Sequence, residues 1–269
     1  MEIIDAHVHS LACGIMCGGQ VDTSYKTVRE GLKNRGIDKA VFVPINDISW
    51  QPVDEMNDYM ISIIKNDKDI VGFIDIDISK MHYAGGIKKI ETKIIELYER
   101  GLKGIKIHLQ NLGVNGDDWR LLAIYRLAGE INIPVMIHCY PGSSPGLIEN
   151  SHPKYIEKIV RVFHKTSFII AHFGGVPYFN LMPWLNYDNV YFETSGVLPI
   201  LKKNIGIEKV KLIFEEIGYD KIFFGSDFPT KDIDIQIDIM REVVNKENLK
   251  YVFSENIKKF GRQFNWWKK

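Results

Sequence analysis

Three cysteines in a chain of 269 residues are too few for a disulfide framework. Cys13, Cys17 and Cys139 therefore fit a reducing compartment, and the cytoplasm is the expected location. Net charge is also missing. The 34 basic residues are matched by 34 acidic ones, so the composition offers no attraction for nucleic acid or an anionic membrane surface. No apolar run approaches the roughly 20 residues of a membrane span. The first residues, Met1-Glu2-Ile3-Ile4-Asp5, enter a strand-like run without the basic and apolar regions of a secretory signal. No linker or low-complexity segment divides the chain, and no phosphate-binding glycine fingerprint follows the first strand. The segment Cys13-Gly14-Ile15-Met16-Cys17-Gly18-Gly19 is glycine-rich but has the wrong spacing. What remains is ordinary globular composition, 45% hydrophobic and 25% charged, expected to form a single domain over residues 1–269.

Short apolar runs alternate with longer amphipathic stretches. The runs are Ile3 to Val8, Ala40 to Ile45, Ile70 to Ile76, Gly104 to Leu109, Pro134 to Cys139, Ser167 to Phe173, Val190 to Thr194 and Lys221 to Gly225. They recur at roughly 30 residues, the size of a βα unit. Most are nearly continuous in Ile, Val and Phe, as parallel strands buried on both faces require. Between them lie helical patterns such as Ile87 to Arg100, with apolar residues at Ile87, Ile90, Ile94 and Leu97. Eight such units predict an α/β fold, a (β/α)8 TIM-like barrel, ahead of an open doubly wound sheet.

Polar residues sit at the ends of these runs. His7 and His9 end the first and, two apart on a strand, share one face. Lys106 and His108 share a face on the fourth run. His138 ends the fifth, His172 the sixth and Asp227 the eighth. In a parallel barrel all carboxyl ends of the strands converge on one mouth. Five of eight histidines would therefore meet there with Asp227, while His82, His152 and His164 lie elsewhere. A lone histidine is commonly a satisfied core residue; six such residues at strand tips are not scattered at random. Imidazoles and a carboxylate with one position left open make a catalytic rather than a structural zinc site. Such an ion activates water at neutral pH, while a carboxylate or a further imidazole moves protons.

On these motifs the chain resembles the amidohydrolase superfamily. More narrowly, it is similar to the amidohydrolase-related branch that includes aminocarboxymuconate-semialdehyde decarboxylase and lactone hydrolases. The matching segments are Asp5-Ala6-His7-Val8-His9, Gly104-Ile105-Lys106-Ile107-His108, Pro134-Val135-Met136-Ile137-His138, Ile170-Ala171-His172-Phe173-Gly174-Gly175, Val190-Tyr191-Phe192-Glu193-Thr194-Ser195-Gly196 and Phe224-Gly225-Ser226-Asp227-Phe228-Pro229, with the helix Ser254 to Phe260. The resemblance implies a barrel with a divalent metal, usually zinc, one per chain. It implies His7, His9, His138 and Asp227 as ligands, His172 as acid/base, and Asp227 as a second catalytic group. Other superfamily members carboxylate a lysine on the fourth strand to bridge two metals. Lys106 would then bring the count to two; otherwise Lys106 and His108 belong to the substrate-facing wall. Several decarboxylases of this branch carry glutamate where His7 stands, which leans towards hydrolysis or towards decarboxylases with His-x-His.

The expected activity is hydrolysis of an amide, lactone or ester in a small molecule. Non-oxidative decarboxylation of a small aromatic or unsaturated acid is the alternative, and a TatD-like nuclease a weaker one. The fourth segment lacks the glutamate of that nuclease family. Hydrolysis is placed first because an arginine fork, suited to gripping a departing carboxylate, has no obvious place at a strand tip, although Arg120 lies in reach. The loops carry Asn46, Asp47, Trp50, Tyr83, Trp119, Tyr140, Tyr178 and Lys231, which suggests an aromatic pocket. A homodimer is compatible with this reading, and nucleic acid or membrane partners are not expected.

Overall fold

The computed structural model describes residues 1–16, 19–47, 49, 51–79, 81, 84–140 and 149–267. Eight parallel strands carry the architecture: β1 Ile4–Val8, β2 Lys39–Phe42, β3 Ile70–Gly72, β4 Ile105–Ile107, β5 Val135–His138, β6 Phe168–Ala171, β7 Val190–Glu193 and β8 Ile222–Phe223. β1 to β3 pair in sequence, as do β4 to β8. Two joins close the ring. Ile74, just past β3, bridges Ile105, with Ile74 N–H donating to Gly104 O at 2.8 Å. Val8 bridges Phe228, past β8, and Ala6 N–H donates to Phe224 O at 2.9 Å. The result is a (β/α)8 barrel, with each expected run supplying one strand.

Helices cover the outside. The expected Ile87–Arg100 helix runs over Ala84–Glu99. Local caps fix several starts: Asp118 accepts from Arg120 N–H before Trp119–Glu130, and Asp232 accepts from two backbone N–H groups before Ile233–Val243. Alternation along the strands separates two apolar sets. Ile105, Ile107, Val135, Ile137, Phe168 and Ile170 face the helices. Ile4, Ala6, Val41, Val71, Met136, Ile169 and Phe223 face inward. The amino-terminal end of the barrel is plugged by Phe260, Phe264 and Trp266; Trp266 stacks edge-on against Phe73 at 5.6 Å, and its indole N–H donates to Lys103 O at 3.0 Å. The opposite end stays open and carries the polar residues. Among the described residues no helix is long and apolar enough to cross a membrane.

Candidate active site

The His-x-His pair reaches the interior by a β-bulge. Ile4 and Ala6 already face inward, so simple alternation would turn His7 and His9 outward. The β1–β2 register advances three residues from Asp5 to Val8 while the partner advances two, from Ala40 to Phe42. That extra residue re-aims His7 and His9 into the barrel. β4, β5 and β7 need no such device: Lys106, His138 and Glu193 follow the inward phase. His172 does not, since it is in phase with the outward Phe168 and Ile170. Its left-handed backbone, φ +58°, followed by Phe173 at +48°, brings the ring back over the mouth. Asp227 is also left-handed, φ +65°. Such backbone costs a few kcal/mol at most and persists where surrounding contacts impose it.

At the floor three acceptor atoms converge. His7 Nδ1–H donates to Glu193 Oε1 at 2.8 Å, and His9 Nδ1–H donates to Val43 O at 2.9 Å. These partners assign both tautomers and leave both Nε2 atoms as lone pairs. Yet the two Nε2 atoms stand 3.2 Å apart, with Asp227 Oδ1 at 3.1 Å from His9 and 3.9 Å from His7. No proton lies among these three atoms, so the trio fits a cation. The His7, His9 and Asp227 ligand atoms all lie within 4.8 Å of one another. Burial, and then the neighbouring Lys106, push the His7 pKa well down, so the ring is neutral, as a metal ligand must be. Burial raises the Asp227 carboxyl, and positive charge beside it, on His9 and the neighbouring imidazoles when they are protonated, holds it well below the usual carboxylate range.

Lys106 is completely buried, and its Nζ donates to His7 Nε2 at 3.1 Å and to Met136 Sδ at 3.7 Å. Burial pulls its pKa down to about 8, against the opposing pull of Glu193 and Asp227. His138 stands apart from the acceptor trio. Its Nδ1 lies 2.9 Å from His172 Nε2, and its Nε2 faces Tyr140 O at 3.1 Å. To complete a ligand set with the trio it would have to release that bond to His172. His108 stacks on His138 with ring centroids 3.6 Å apart. Its backbone N–H donates to Asn46 Oδ1 at 2.6 Å, and Asn46 in turn donates to Asp75.

Two residues to which the motifs assigned no role organise the floor. Glu193, fully buried, accepts from His7 Nδ1, from His172 N–H at 3.0 Å, from Ser195 N–H at 2.7 Å and from Ser195 Oγ–H at 2.8 Å. Ser195 O accepts from His172 Nδ1–H at 2.9 Å. Gly225 makes room, because a Cβ there would collide with the Glu193 carboxylate. A lone carboxylate in the apolar run Val190 to Glu193 was the available signal. Asp5, also buried, clamps β1 to the end of β8 by accepting from His7 N–H and Ser226 N–H. Burial lifts its pKa to about 7.

The cavity above this floor measures about 340 Å³, and among its lining residues are His9, His108, His138, His172, Asp227, Tyr140, Met16, Ile45, Ile200 and Lys231. The expectation of an aromatic pocket needs correction. Tyr140 is the one noncharged ring among the described lining residues that the loops supply; Trp119 is half exposed on its helix, and Tyr178 packs against His152. Among the described lining residues the other apolar side chains are Met16, Ile45 and Ile200. Trp50, Tyr83, His82 and Cys17 lie outside the described residues. Arg120 does not reach the mouth; both its Nε and its Nη2 donate to Asp118, at 2.9 Å each. Cys139 is buried, bonded to Ser151 O, and its thiol pKa is pushed far up by burial, so it offers no thiolate.

Ring and floor together define a barrel enzyme whose strand tips gather imidazoles and a carboxylate in an arrangement suited to a divalent cation. The amidohydrolase family matches residues 4–260, and the chain belongs to that family. No curated protein matches the chain in sequence. Among solved structures, an uncharacterized TIM-barrel protein from Bordetella bronchiseptica is similar over 98% of this chain and 100% of its own, at 15% identity and TM-score 0.81. A candidate 2-pyrone-4,6-dicarboxylic acid hydrolase from Pseudomonas putida is similar over 100% and 99%, at 15% identity and TM-score 0.71. A dihydroxybenzoic acid decarboxylase from Polaromonas sp. JS666, with bound manganese, is similar over 100% and 98%, at 15% identity and TM-score 0.70.

Proposed function

We propose that this amidohydrolase-family enzyme is a divalent-metal-dependent, non-oxidative decarboxylase of a small aromatic or unsaturated carboxylic acid. The order of preference drawn from the sequence is thereby reversed. Hydrolysis needs a base for the attacking water, a part that Asp227 could take. In the structure Asp227 Oδ1 belongs to the acceptor trio with His7 and His9, where a cation would claim it, and Oδ2 lies 2.9 Å from Thr230 Oγ1. The observation that carries the reading is the imidazole pair on the cavity wall. His172 Nδ1–H is committed to Ser195 O and His138 Nε2–H to Tyr140 O, so the facing nitrogens, His172 Nε2 and His138 Nδ1 at 2.9 Å, form a seat for one added proton shared by the two rings. The mouth thus offers a proton seat between two rings, and the carboxylate at its floor, Asp227, would be taken up by the metal. Decarboxylation uses such a seat: as the bond to the carboxylate breaks, its electron pair stays on the substrate carbon, carbon dioxide leaves, and the carbon takes up a proton.

His7, His9 and Asp227 would hold the metal, with His138 joining if its bond to His172 opens. Zinc and manganese both accept such a set, and manganese is the ion bound in the Polaromonas enzyme. When bound, the ion would supply positive charge to fix the oxygens beside the reacting carbon. Glu193 and Val43 O hold the two Nε2 lone pairs towards it. A proton held between His172 Nε2 and His138 Nδ1 would be delivered from that pair, and Ser195 keeps the His172 ring over the cavity. Met16, Ile45 and Ile200 exclude water from the body of a small substrate.

The test is metal-loaded protein incubated in deuterium oxide with hydroxybenzoates, unsaturated acids, lactones and amides. Carbon dioxide release with one deuteron on the product carbon is expected. Solvent oxygen-18 in the product without carbon dioxide release would overturn the proposal in favour of hydrolysis, the reading that the likeness to the Pseudomonas putida protein supports.

A further inference from the structure

The proposed chemistry leaves one cation at the mouth without a task. Lys231 is the only lysine or arginine among the described residues lining the cavity, and no described carboxylate forms an ion pair with it. We propose that Lys231 is a specificity residue that holds a second, non-reacting anionic group of the substrate, so that the site takes dicarboxylates in preference to monocarboxylates. This deepens the decarboxylase reading and rests on it for the reacting carboxylate.

The placement is built from the strand tip outward. Thr230 N–H donates to Asp227 O at 3.0 Å and its hydroxyl lies 2.6 Å from Asp227 O and 2.9 Å from Asp227 Oδ2, which fixes the turn that leads from the floor to the rim. Lys231 follows directly. Its stem crosses Gly196, where the backbone is left-handed at φ +65° and where a Cβ would stand 3.3 Å from Lys231 Cγ and 3.0 Å from Asp227 Oδ2. The glycine therefore lets the lysine stem lie along the rim close to the floor carboxylate. No ion pair joins the ammonium to Asp227, whose Oδ1 lies in the acceptor trio and whose Oδ2 lies 2.9 Å from Thr230 Oγ1. The other charged lining residue on the rim, Asp47, is turned into its own loop by Ser49 N–H at 3.0 Å and Ser49 Oγ–H at 2.5 Å.

The cavity is therefore polarised. Imidazoles and the acceptor trio line its floor, Ile45 and Ile200 add aliphatic wall, and Lys231, exposed on the rim, adds an ammonium. With the reacting carboxylate on the floor, a second anionic group of the same substrate has Lys231 as the cation of the described lining. An anion there gains a charge-assisted contact; a neutral end leaves the ammonium in water at no cost. At a rim position the contact is expected to change affinity by about tenfold, which is about 1.4 kcal/mol.

The test measures binding rather than turnover, so that it stands apart from the reaction class. Benzene-1,3-dicarboxylate and benzoate are titrated into metal-loaded wild type, Lys231→Gln and Lys231→Arg. Wild type should prefer the dicarboxylate by about tenfold, Lys231→Gln should lose that preference without altering benzoate affinity, and Lys231→Arg should keep it. Equal affinity for the two probes in wild type, no binding of either, or equal loss of both in Lys231→Gln would overturn the proposal. The preference without carbon dioxide release from any carboxylate would sink the decarboxylase reading alone. Decarboxylation of monocarboxylates with no effect of Lys231→Gln would sink the Lys231 assignment alone.

Discussion

Glu193→Gln is the substitution that most directly tests how the floor is organised. The glutamate side chain is fully buried and accepts four hydrogen bonds, three on Oε1 and one, from Ser195 N–H at 2.7 Å, on Oε2. Glutamine has the same shape but only one acceptor atom. If its oxygen stays where Oε1 was, its amide nitrogen meets the Ser195 N–H, two donors face to face, and an unsatisfied buried pair costs about 1–3 kcal/mol. If the amide turns over, its nitrogen faces His7 Nδ1, the His7 proton is driven to Nε2, and the lone pair shared with His9 and Asp227 is lost. Either arrangement weakens the grip on a cation. Removing a partner of this kind usually lowers metal affinity by about 10–100-fold, or about 1.4–2.7 kcal/mol.

The two costs are separable. Denaturant unfolding of metal-free protein reads the first, since no metal contributes to that difference. Competition titration with a zinc or manganese chelator reads the second. The expected result is a moderate loss of stability together with a loss of at least about tenfold in metal affinity. Metal affinity within twofold of wild type, alongside the stability loss, would refute the claim that Glu193 sets the His7 tautomer; the residue would then be only a buried structural acceptor.

Further outcomes follow from the same contacts. His172→Asn should abolish turnover at near-normal metal content, read by elemental analysis; loss of the metal as well would make His172 a ligand. Lys106→Met should remove the donor that competes for His7 Nε2 and tighten binding of the first metal, whereas a fall of the metal content by half would indicate that Lys106 bridges two ions. Asp75, lifted by burial to about 7 from an ordinary value of 3.8, is stabilised in its neutral form by folding. That contribution is complete below about pH 4 and is lost as pH rises through 7, so wild type should lose stability relative to Asp75→Asn across that window, by up to about 4 kcal/mol, in denaturant melts repeated at each pH.

The barrel was readable because its strands are nearly pure Ile, Val and Phe, and burial on both faces demands this. Their ends were less so. The third apolar run continues to Ile76 although ladder pairing ends at Gly72, because Ile74 and Ile76 are buried in the loop and at the β4 join. Period-two reasoning placed Lys106 beside His108 and His7 beside His9. It could not say that His7 and His9 point inward, since this depends on a bulge that alternation does not encode. His172 shows the same limit more sharply: its strand phase points outward, and two left-handed residues reverse it. Glu193 was visible as a charge in an apolar strand, but its four partners come from β1, β6 and its own turn. Only the closed ring brings them together.

The charges at the floor argue that Lys106 and a metal ion are alternatives at one position rather than neighbours. The ammonium donates to His7 Nε2, the same lone pair that completes the trio with His9 and Asp227. Without a metal, Lys106 supplies the one positive charge that Asp227 and Glu193 face at this depth, which explains why a fully buried lysine is tolerated there. A divalent ion in the trio would place two like charges within a few ångströms. With its pKa already drawn down to about 8, Lys106 needs only about 1.4 kcal/mol to shed its proton at pH 7. Metal entry should therefore neutralise or displace the lysine instead of being blocked by it. On this arrangement the lysine of the fourth strand would occupy the His7 lone pair until an ion arrives.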